Sequence, residues 1–321
     1  MQTRLLSAQS PVDLDEAASV LRRGGLVAFP TETVYGLGAL ALDPLAVRGI
    51  FAAKGRPSTN PVIVHVLGED EARELVTHWP IEAATLASAF WPGPLTLVLP
   101  RSPRVPDECT AGGDTVGVRA PSHPAARALL QRVAAPLAAP SANRAEHVSP
   151  TTAAHVLRDL NGRIDLVLDG GRCALGIEST VIALDGAKPR LLRAGAIPRA
   201  AIEELIGPLD GAGPVGPAQS PGQHRRHYAP AGVVRLASRE ELSQVVASLQ
   251  LRTGALLHGA EAPAAAAVVQ LPDEAAAYAR ELYAALRELE DAECAAIVIE
   301  EVPLAPEWDA VRDRLARASA R

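Results

Sequence analysis

Lysine is almost missing from this 321-residue chain: of its 31 basic residues only Lys54 and Lys188 are lysine. Arginine carries the remaining positive charge, as expected where codon usage favours it, so each lysine merits inspection. Aromatic residues are also scarce, at 3%, which argues against a stacking platform for single-stranded nucleic acid. Three cysteines, Cys109, Cys173 and Cys294, stand far apart without a CxxC pair. Neither a disulfide framework nor a zinc site is indicated, and free thiols in a reducing compartment are expected. Met1 to Pro11 lacks the apolar stretch of a secretion signal, and no apolar run has the length of a membrane span. A soluble cytoplasmic protein with no membrane contact is expected. No GxxxxGK[ST] loop is present, which excludes a P-loop nucleotide site, and no Ser–His or Cys–His pairing suggests a covalent intermediate.

What the chain does contain is enough apolar residue for sizeable cores: 48% hydrophobic against 21% charged, with a net charge of −6. Its length suits two domains. Residues 13–23 predict a first helix, with Asp13 as N-cap and Gly24–Gly25 as its stop. Strands are predicted at 26–29, 62–66, 95–99, 116–119, 166–168 and 180–184. Helices are predicted from 43 to about 55 and at about 69–77, 81–90, 124–133, 151–158 and 199–206. This mixture indicates α/β, in an order too irregular for a simple doubly wound sheet. In 207–230, ten of 24 positions are Gly or Pro, the mark of a linker. Beyond it, strands at 232–236, 254–258, 266–270 and 295–299 alternate with helices at 239–249, 274–289 and 308–318. That order predicts a small parallel Rossmann-like module. The domain expectation is therefore 1–206, a linker at 207–230, and 231–321. Within the linker, 211–216 matches GxGxxG by letter, but no strand leads into it and no helix opens from it. It is read as accidental.

The chemistry-bearing stretches follow strands. Pro30-Thr-Glu-Thr-Val-Tyr-Gly-Leu-Gly38 gathers hydroxyls, a carboxylate, a phenol and two glycines, which would let backbone approach a ligand closely. Lys54-Gly-Arg-Pro57 spends one of the two lysines beside an arginine at a helix end, a pairing suited to phosphate. His65, alone inside an apolar strand, reads on its own as a core residue, and no partner at metal spacing accompanies it. His224 and His227 are likewise read as non-metal. Ser149, in Ser-Pro-Thr, reads by default as the cap of the helix from 151. Together these hydroxyls, glycines and cations suit an anionic, polyoxygenated ligand such as a nucleotide plus a carboxylate.

The ordered series PTETVYGLG (30–38), KGRP with NP (54–61), WPGPLTLVL (91–99), TVGVRAP (115–121), APSAN (139–143), ESTV (178–181) and LLRAG (191–195) resembles the YrdC-like family. SPGQHRRHYAP (220–230) and the module after it resemble that family's long, two-domain form. The resemblance implies a twisted mixed-sheet α/β domain with a concave active-site cavity, followed by a small Rossmann-like C-terminal domain. It also implies an enzyme, a nucleotidyltransferase that turns L-threonine, bicarbonate and ATP into threonylcarbamoyl-AMP and pyrophosphate for tRNA modification. Mg2+ would accompany ATP, coordinated by substrate. A downstream threonylcarbamoyl transferase complex would take the product, with weak tRNA contact.

By carry-over, Thr33, His65, Arg119, Ala139 and Ser179 would hold threonine. Lys54, Arg56, Asn60, Thr115, Ser141, Asn143, Ser149, Arg193 and Tyr228 would surround ATP, with Lys54 and Arg56 catalytic and Tyr228 closing over the nucleotide. For His65 and Ser149 the resemblance overrides the local reading. Family linkers commonly read SPGMKxxHYAP, whereas Gln223 and His224 stand here. The resemblance therefore supports closure by Tyr228 but not a phosphate contact from a linker lysine. The alternatives are a non-catalytic double-stranded RNA or tRNA binder, opposed by the acidic net charge, and carbamoyl transfer in metal-cofactor maturation, opposed by the absence of Cys-rich modules.

Overall fold

The structure, a computed structural model, describes residues 2–186, 188–210 and 228–320. The 211–216 stretch, Gln223, His224 and His227 lie outside the described residues. The chain divides into two compact units. One comprises Met1–Ala145, Pro150–Ala174 and Glu178–Gln223; the other comprises Glu146–Ser149, Leu175–Ile177 and His224–Arg321. No described helix is long and apolar enough to cross a membrane.

The described residues of the first unit contain strands β1 (Arg4–Ser7), β2 (Val27–Phe29), β3 (Gly36–Leu40), β4 (Ile63–His65), β5 (Leu95–Pro100), β6 (Thr115–Arg119), β7 (Leu137–Ala138), β8 (Leu166–Asp169), β9 (Thr180–Ala183) and β10 (Arg190–Arg193). They form one sheet in the order β1-β8-β2-β3-β7-β4-β6-β5-β9-β10. Pairings β1–β8, β2–β8, β4–β6 and β5–β9 are parallel. Pairings β2–β3, β3–β7, β4–β7, β5–β6 and β9–β10 are antiparallel, so the sheet is mixed, as expected.

Period-2 alternation decides which face each side chain takes. Leu95, Leu97 and Leu99 of β5, Val116 and Val118 of β6, Val64 of β4 and Ile182 of β9 all enter the main hydrophobic core. Their neighbours Thr96, Gly117, Arg119, His65 and Val181 therefore take the opposite face. A Cβ on Gly117 would meet Thr96, Ile63 and Val98 side chains, which confirms that shared face.

Two local expectations are corrected. The first helix, Pro11–Arg22, is capped by Ser10, whose hydroxyl accepts from Asp13 N, with proline at its start. Helix Ala153–Leu160 is capped by Thr152 rather than Ser149. In both cases the hydroxyl that wins lies three residues before the N–H it caps.

The second unit has strands β11 (Val233–Ala237), β12 (Thr253–Leu257), β13 (Ala267–Gln270) and β14 (Ala296–Glu300), ordered β11-β14-β12-β13 and parallel throughout. Its own apolar cluster includes Ala237, Leu242, Val246, Ala255, Leu257 and Val298.

Candidate active site

The site of the first unit is a row of polar side chains crossing adjacent strands. His65 of β4 pairs in register with Arg119 of β6. The antiparallel ladder that matches Leu97 with Val118 brings Thr96 of β5 next in line. Thr96 in turn matches Val181 of β9, and Val181 matches Arg193 of β10. Register-matched residues on neighbouring strands share a face, so these side chains are set side by side by pairing alone.

Arg119 is the centre of the row and is buried. Its Nη2 donates to Glu32 Oε1 at 2.6 Å and to Thr33 Oγ1 at 3.0 Å. The other Glu32 oxygen accepts from Ser122 N at 3.2 Å. Arg119 Nε and His65 Nδ1 are buried and have no hydrogen-bond partner among the described residues, a costly condition that a ligand would relieve. Burial, and then the neighbouring Arg119 charge, push the His65 pKa down to about 3. The imidazole is therefore neutral across physiological pH. Thr33 Oγ1 also lies 2.8 Å from Thr31 Oγ1, whose own proton goes to Val34 O at 2.6 Å.

A second cluster lies around Lys54, the last residue of helix Pro44–Lys54, which Gly55 closes in the left-handed conformation at φ 62°. Lys54 Nζ donates to Ser141 O at 2.6 Å, Asn143 O at 2.5 Å and Asn143 Oδ1 at 3.3 Å. Burial, and Arg56 beside it, push the ammonium well below the ordinary lysine range. The three oxygens, matching its three N–H bonds, work the other way. Ser141 Oγ donates to Asn143 Oδ1 at 2.6 Å, and a bridge between Gly36 and Ser141 ties this loop to β3. Arg56 folds over its own loop, its Nη2 donating to Pro61 O at 3.0 Å and Asn60 O at 3.3 Å. Asn60 Oδ1 is buried without a partner among the described residues.

At the far end of the row, Arg193 Nη2 donates to Ser179 Oγ and Nε to Ser179 O, both at 3.0 Å. Strict alternation would turn Arg193 to the same side as Leu191, into the core. A bulge between Leu191 and Arg193 shifts the register so that Arg193 faces Val181, which delivers the guanidinium to Ser179. Ser179 Oγ also lies 2.7 Å from Thr96 Oγ1.

Twelve of the sequence-predicted site residues thus fall in this unit: Thr33, Lys54, Arg56, Asn60, His65, Thr115, Arg119, Ala139, Ser141, Asn143, Ser179 and Arg193. Ala139 donates its N–H to Ile63 O at 2.9 Å, just beyond β7. Thr115 starts β6 and Arg119 ends it, so about 13 Å of strand separates them. Ser149 and Tyr228 belong to the second unit. Ser149 is buried there, and Tyr228 stacks on Tyr283 at 5.8 Å with the Arg314 guanidinium 5.1 Å over its ring.

The glycines of β3 serve neighbours within the protein. A Cβ on Gly38 would come within 2.8 Å of the Phe29 ring, and one on Gly36 within 3.4 Å of Ala139 Cβ. Tyr35, from the same motif, bonds Gly171 O at 2.7 Å and is structural. Two residues escaped the sequence reading. Glu32 was visible as the only carboxylate of its motif, and Thr96 as the only polar side chain between Leu95 and Leu99.

The family model described as telomere recombination (Sua5, YciO and YrdC) matches residues 19–195, and that of the threonylcarbamoyl-AMP synthase C-terminal domain matches 197–320. The chain belongs to the Sua5/YrdC family. Among Sua5/YrdC members it is similar to the threonylcarbamoyl-AMP synthase of Pyrococcus abyssi, with 43% identity over 94% of this chain and 93% of that one. Its likeness to the Bacillus subtilis enzyme of the same name is 43% over 76% of this chain and 72% of that one. The solved structure of P. abyssi Sua5 complexed with L-threonine superposes with a TM-score of 0.93 at 40% identity, covering 99% of this chain and 98% of that one. The two-domain, mixed α/β architecture is therefore that of a Sua5 protein.

Proposed function

We propose that this chain is a threonylcarbamoyl-AMP synthase, a nucleotidyltransferase that joins L-threonine and bicarbonate and adenylates the resulting carbamate with ATP for tRNA threonylcarbamoylation. The observation that carries this reading is the buried Arg119 with an unpartnered Nε, next to neutral His65 and bonded to Thr33. Such a guanidinium is a receptor for the carboxylate of a small amino acid. Family membership supplies the amino acid, since the Sua5 structure it superposes on holds L-threonine.

Thr33, His65, Arg119, Ser179 and the Ala139 backbone hold threonine. Lys54, Arg56, Asn60, Thr115, Ser141, Asn143 and Arg193 form the nucleotide side. The amine of threonine forms a bond to the carbon of bicarbonate, whose C–OH bond breaks, and the hydroxide leaves as water with a proton from the amine to give the carbamate. A carbamate oxygen then attacks the α-phosphorus, and pyrophosphate leaves with the bonding electron pair. No side-chain nucleophile is required. Alignment of reactants, which can lower a barrier by roughly 7–11 kcal/mol, and cations facing the phosphates do the catalytic work. Magnesium would enter with ATP, held by substrate oxygens and water, and would neutralise the leaving pyrophosphate. The guanidinium groups on the nucleotide side, Arg56 and Arg193, would repel a bare metal ion. The product's acceptor is a downstream threonylcarbamoyl transferase complex. Three free cysteines, all buried, fit the cytoplasm.

Pyrophosphate release measured with each substrate omitted in turn tests this. Release should require threonine, bicarbonate and ATP together. Equal release with serine, or without any amino acid, would reject the assignment.

A further inference from the structure

Arg119 is paired with a carboxylate of the protein itself. Its Nη2 spends two N–H bonds internally, one on Glu32 Oε1 at 2.6 Å and one on Thr33 Oγ1 at 3.0 Å. Arg119 is the one ion-pair partner of Glu32 among the described residues, and Ser122 N anchors the second oxygen of that carboxylate. Every donor in this set is an N–H facing a lone pair, so the directions are fixed. What remains for a ligand is Arg119 Nε, buried and without a partner among the described residues. A carboxylate that pairs with Nε therefore joins a guanidinium that Glu32 already shares.

Two carboxylates on one buried guanidinium leave a surplus negative charge, which is costly to hold away from water. A neighbouring cation would have to offset it, or one must enter with the ligand. His65, register-matched with Arg119, does not provide it: burial, and then the Arg119 charge, hold its pKa at about 3. Lys54 Nζ is spent on the Ser141 and Asn143 oxygens. Arg193 stands three strands further along the sheet, about 14 Å away at the usual strand spacing, and is bonded to Ser179. The group that restores the balance is the α-ammonium of an amino acid, which travels with its own carboxylate.

We propose that Glu32 is a specificity-determining residue for the amino-acid substrate: by sharing the Arg119 guanidinium it makes the pocket prefer a carboxylate that comes with a cationic amino group. Charge balance then favours a zwitterion over a simple carboxylate, whatever contacts the rest of the ligand makes. This deepens the threonine-site reading above and rests on it.

(R)-3-Hydroxybutyrate, which is L-threonine without its amino group, separates the two cases without requiring turnover. Calorimetric titration of the parent should show L-threonine binding at least about tenfold tighter, a modest return for one unit charge a few ångströms away in a partly buried site. In Glu32→Gln the guanidinium has no internal carboxylate, and either ligand can satisfy it. The preference should therefore shrink by at least about tenfold, chiefly through tighter binding of (R)-3-hydroxybutyrate. Glu32→Asp keeps the charge and should keep the preference. ATP affinity within about twofold of the parent reports that each variant is folded. A pocket merely loosened by the substitution would weaken both ligands alike and leave their ratio as it was. An unchanged ratio in Glu32→Gln, an equal loss of preference in Glu32→Asp, or equal affinities of the parent for the two ligands would each overturn the proposal. A parent chain that binds neither ligand would instead overturn the function proposed for the site.

Discussion

At the scale of single residues, the site is governed by what burial does to charge. Arg119 and Glu32 form an ion pair whose side chains are only 5% and 9% exposed. Removing one member of such a pair leaves the other desolvated and uncompensated, typically a loss of about 3–5 kcal/mol. Glu32→Ala should lose stability in that range in denaturant unfolding. L-Threonine, which brings a carboxylate to the same guanidinium, should raise the melting temperature of that variant more than that of the parent. A loss below about 1 kcal/mol would mean that water reaches Arg119 freely. His65 offers a pH test. Its pKa is about 3 in the folded chain against about 6.5 when unfolded. Between those values the unfolded state holds a proton that the native state refuses. This contribution to stability is complete above about pH 6.5 and is lost as the pH falls toward 3. Equilibrium unfolding from pH 8 to 4 should show a shallower acid-side decline for His65→Gln than for the parent. Parallel curves would show that His65 titrates normally.

At the scale of elements, what was legible in the sequence was whatever a local pattern encodes. The leucines of 95–99 and the apolar-flanked Arg119 declare two strands and their buried faces. Helices Ile81–Phe90, Pro124–Val133 and Arg199–Ile206 end where the sequence predicts. What alternation cannot reveal is pairing at a distance. Thr96 and Ser179 are 83 residues apart, and Glu32 and Arg119 are 87 apart. Arg193 reaches the row only through one extra residue in the β9–β10 ladder, and nothing in LLRAG announces a bulge. Strand β3 carries no alternating apolar signal in the sequence, because its glycines leave the space that the Phe29 ring fills. The last glycine of LLRAG makes a sharper case. A Cβ on Gly195 would lie 2.3 Å from Thr180 N, 2.4 Å from Ser179 C and 2.5 Å from Glu178 O. All three are backbone atoms with nowhere to rotate. Gly195→Ala should force β9 and the segment after β10 apart, costing about 1–3 kcal/mol in overpacking and weakening L-threonine binding as Ser179 moves away from Arg193. Unchanged affinity in calorimetry would show that the two segments slide without disturbing the site.

At the scale of the whole molecule, the two units differ in what their sheet ends hold. In the parallel sheet of the second unit, the carboxyl ends of the strands are where a Rossmann-type module places a phosphate, in a nest of backbone N–H groups. Such a nest is present here and is filled from within. Glu300 Oε2 accepts from His258 N at 2.8 Å and from Gly259 N and Ala260 N at 3.0 Å, while Arg239 Nε donates to Oε1 at 2.9 Å. Burial by itself would raise the pKa of this carboxyl, but the three N–H groups and the guanidinium outweigh it and hold it at about 2. The sequence showed the topology of this module but not its plug, because Glu300 looks like any acid at the end of a strand. A carboxyl held below its ordinary value, about 4.5, stabilises the fold above that pH and ceases to do so as the pH falls toward 2. Glu300→Gln keeps the shape and removes the charge, which should cost about 1.5–3 kcal/mol at neutral pH, the usual worth of hydrogen bonds to an ionised group. Hydrogen exchange locates that loss. Amides of β12 and β14 should lose protection in the variant while those of β5 and β6, in a separate core, keep theirs. The gap between parent and variant should close as the pH is lowered from about 4.5 toward 2, where the parent carboxyl also becomes neutral. A gap that persists unchanged at acid pH would mean that the nest holds Glu300 by shape and not by charge.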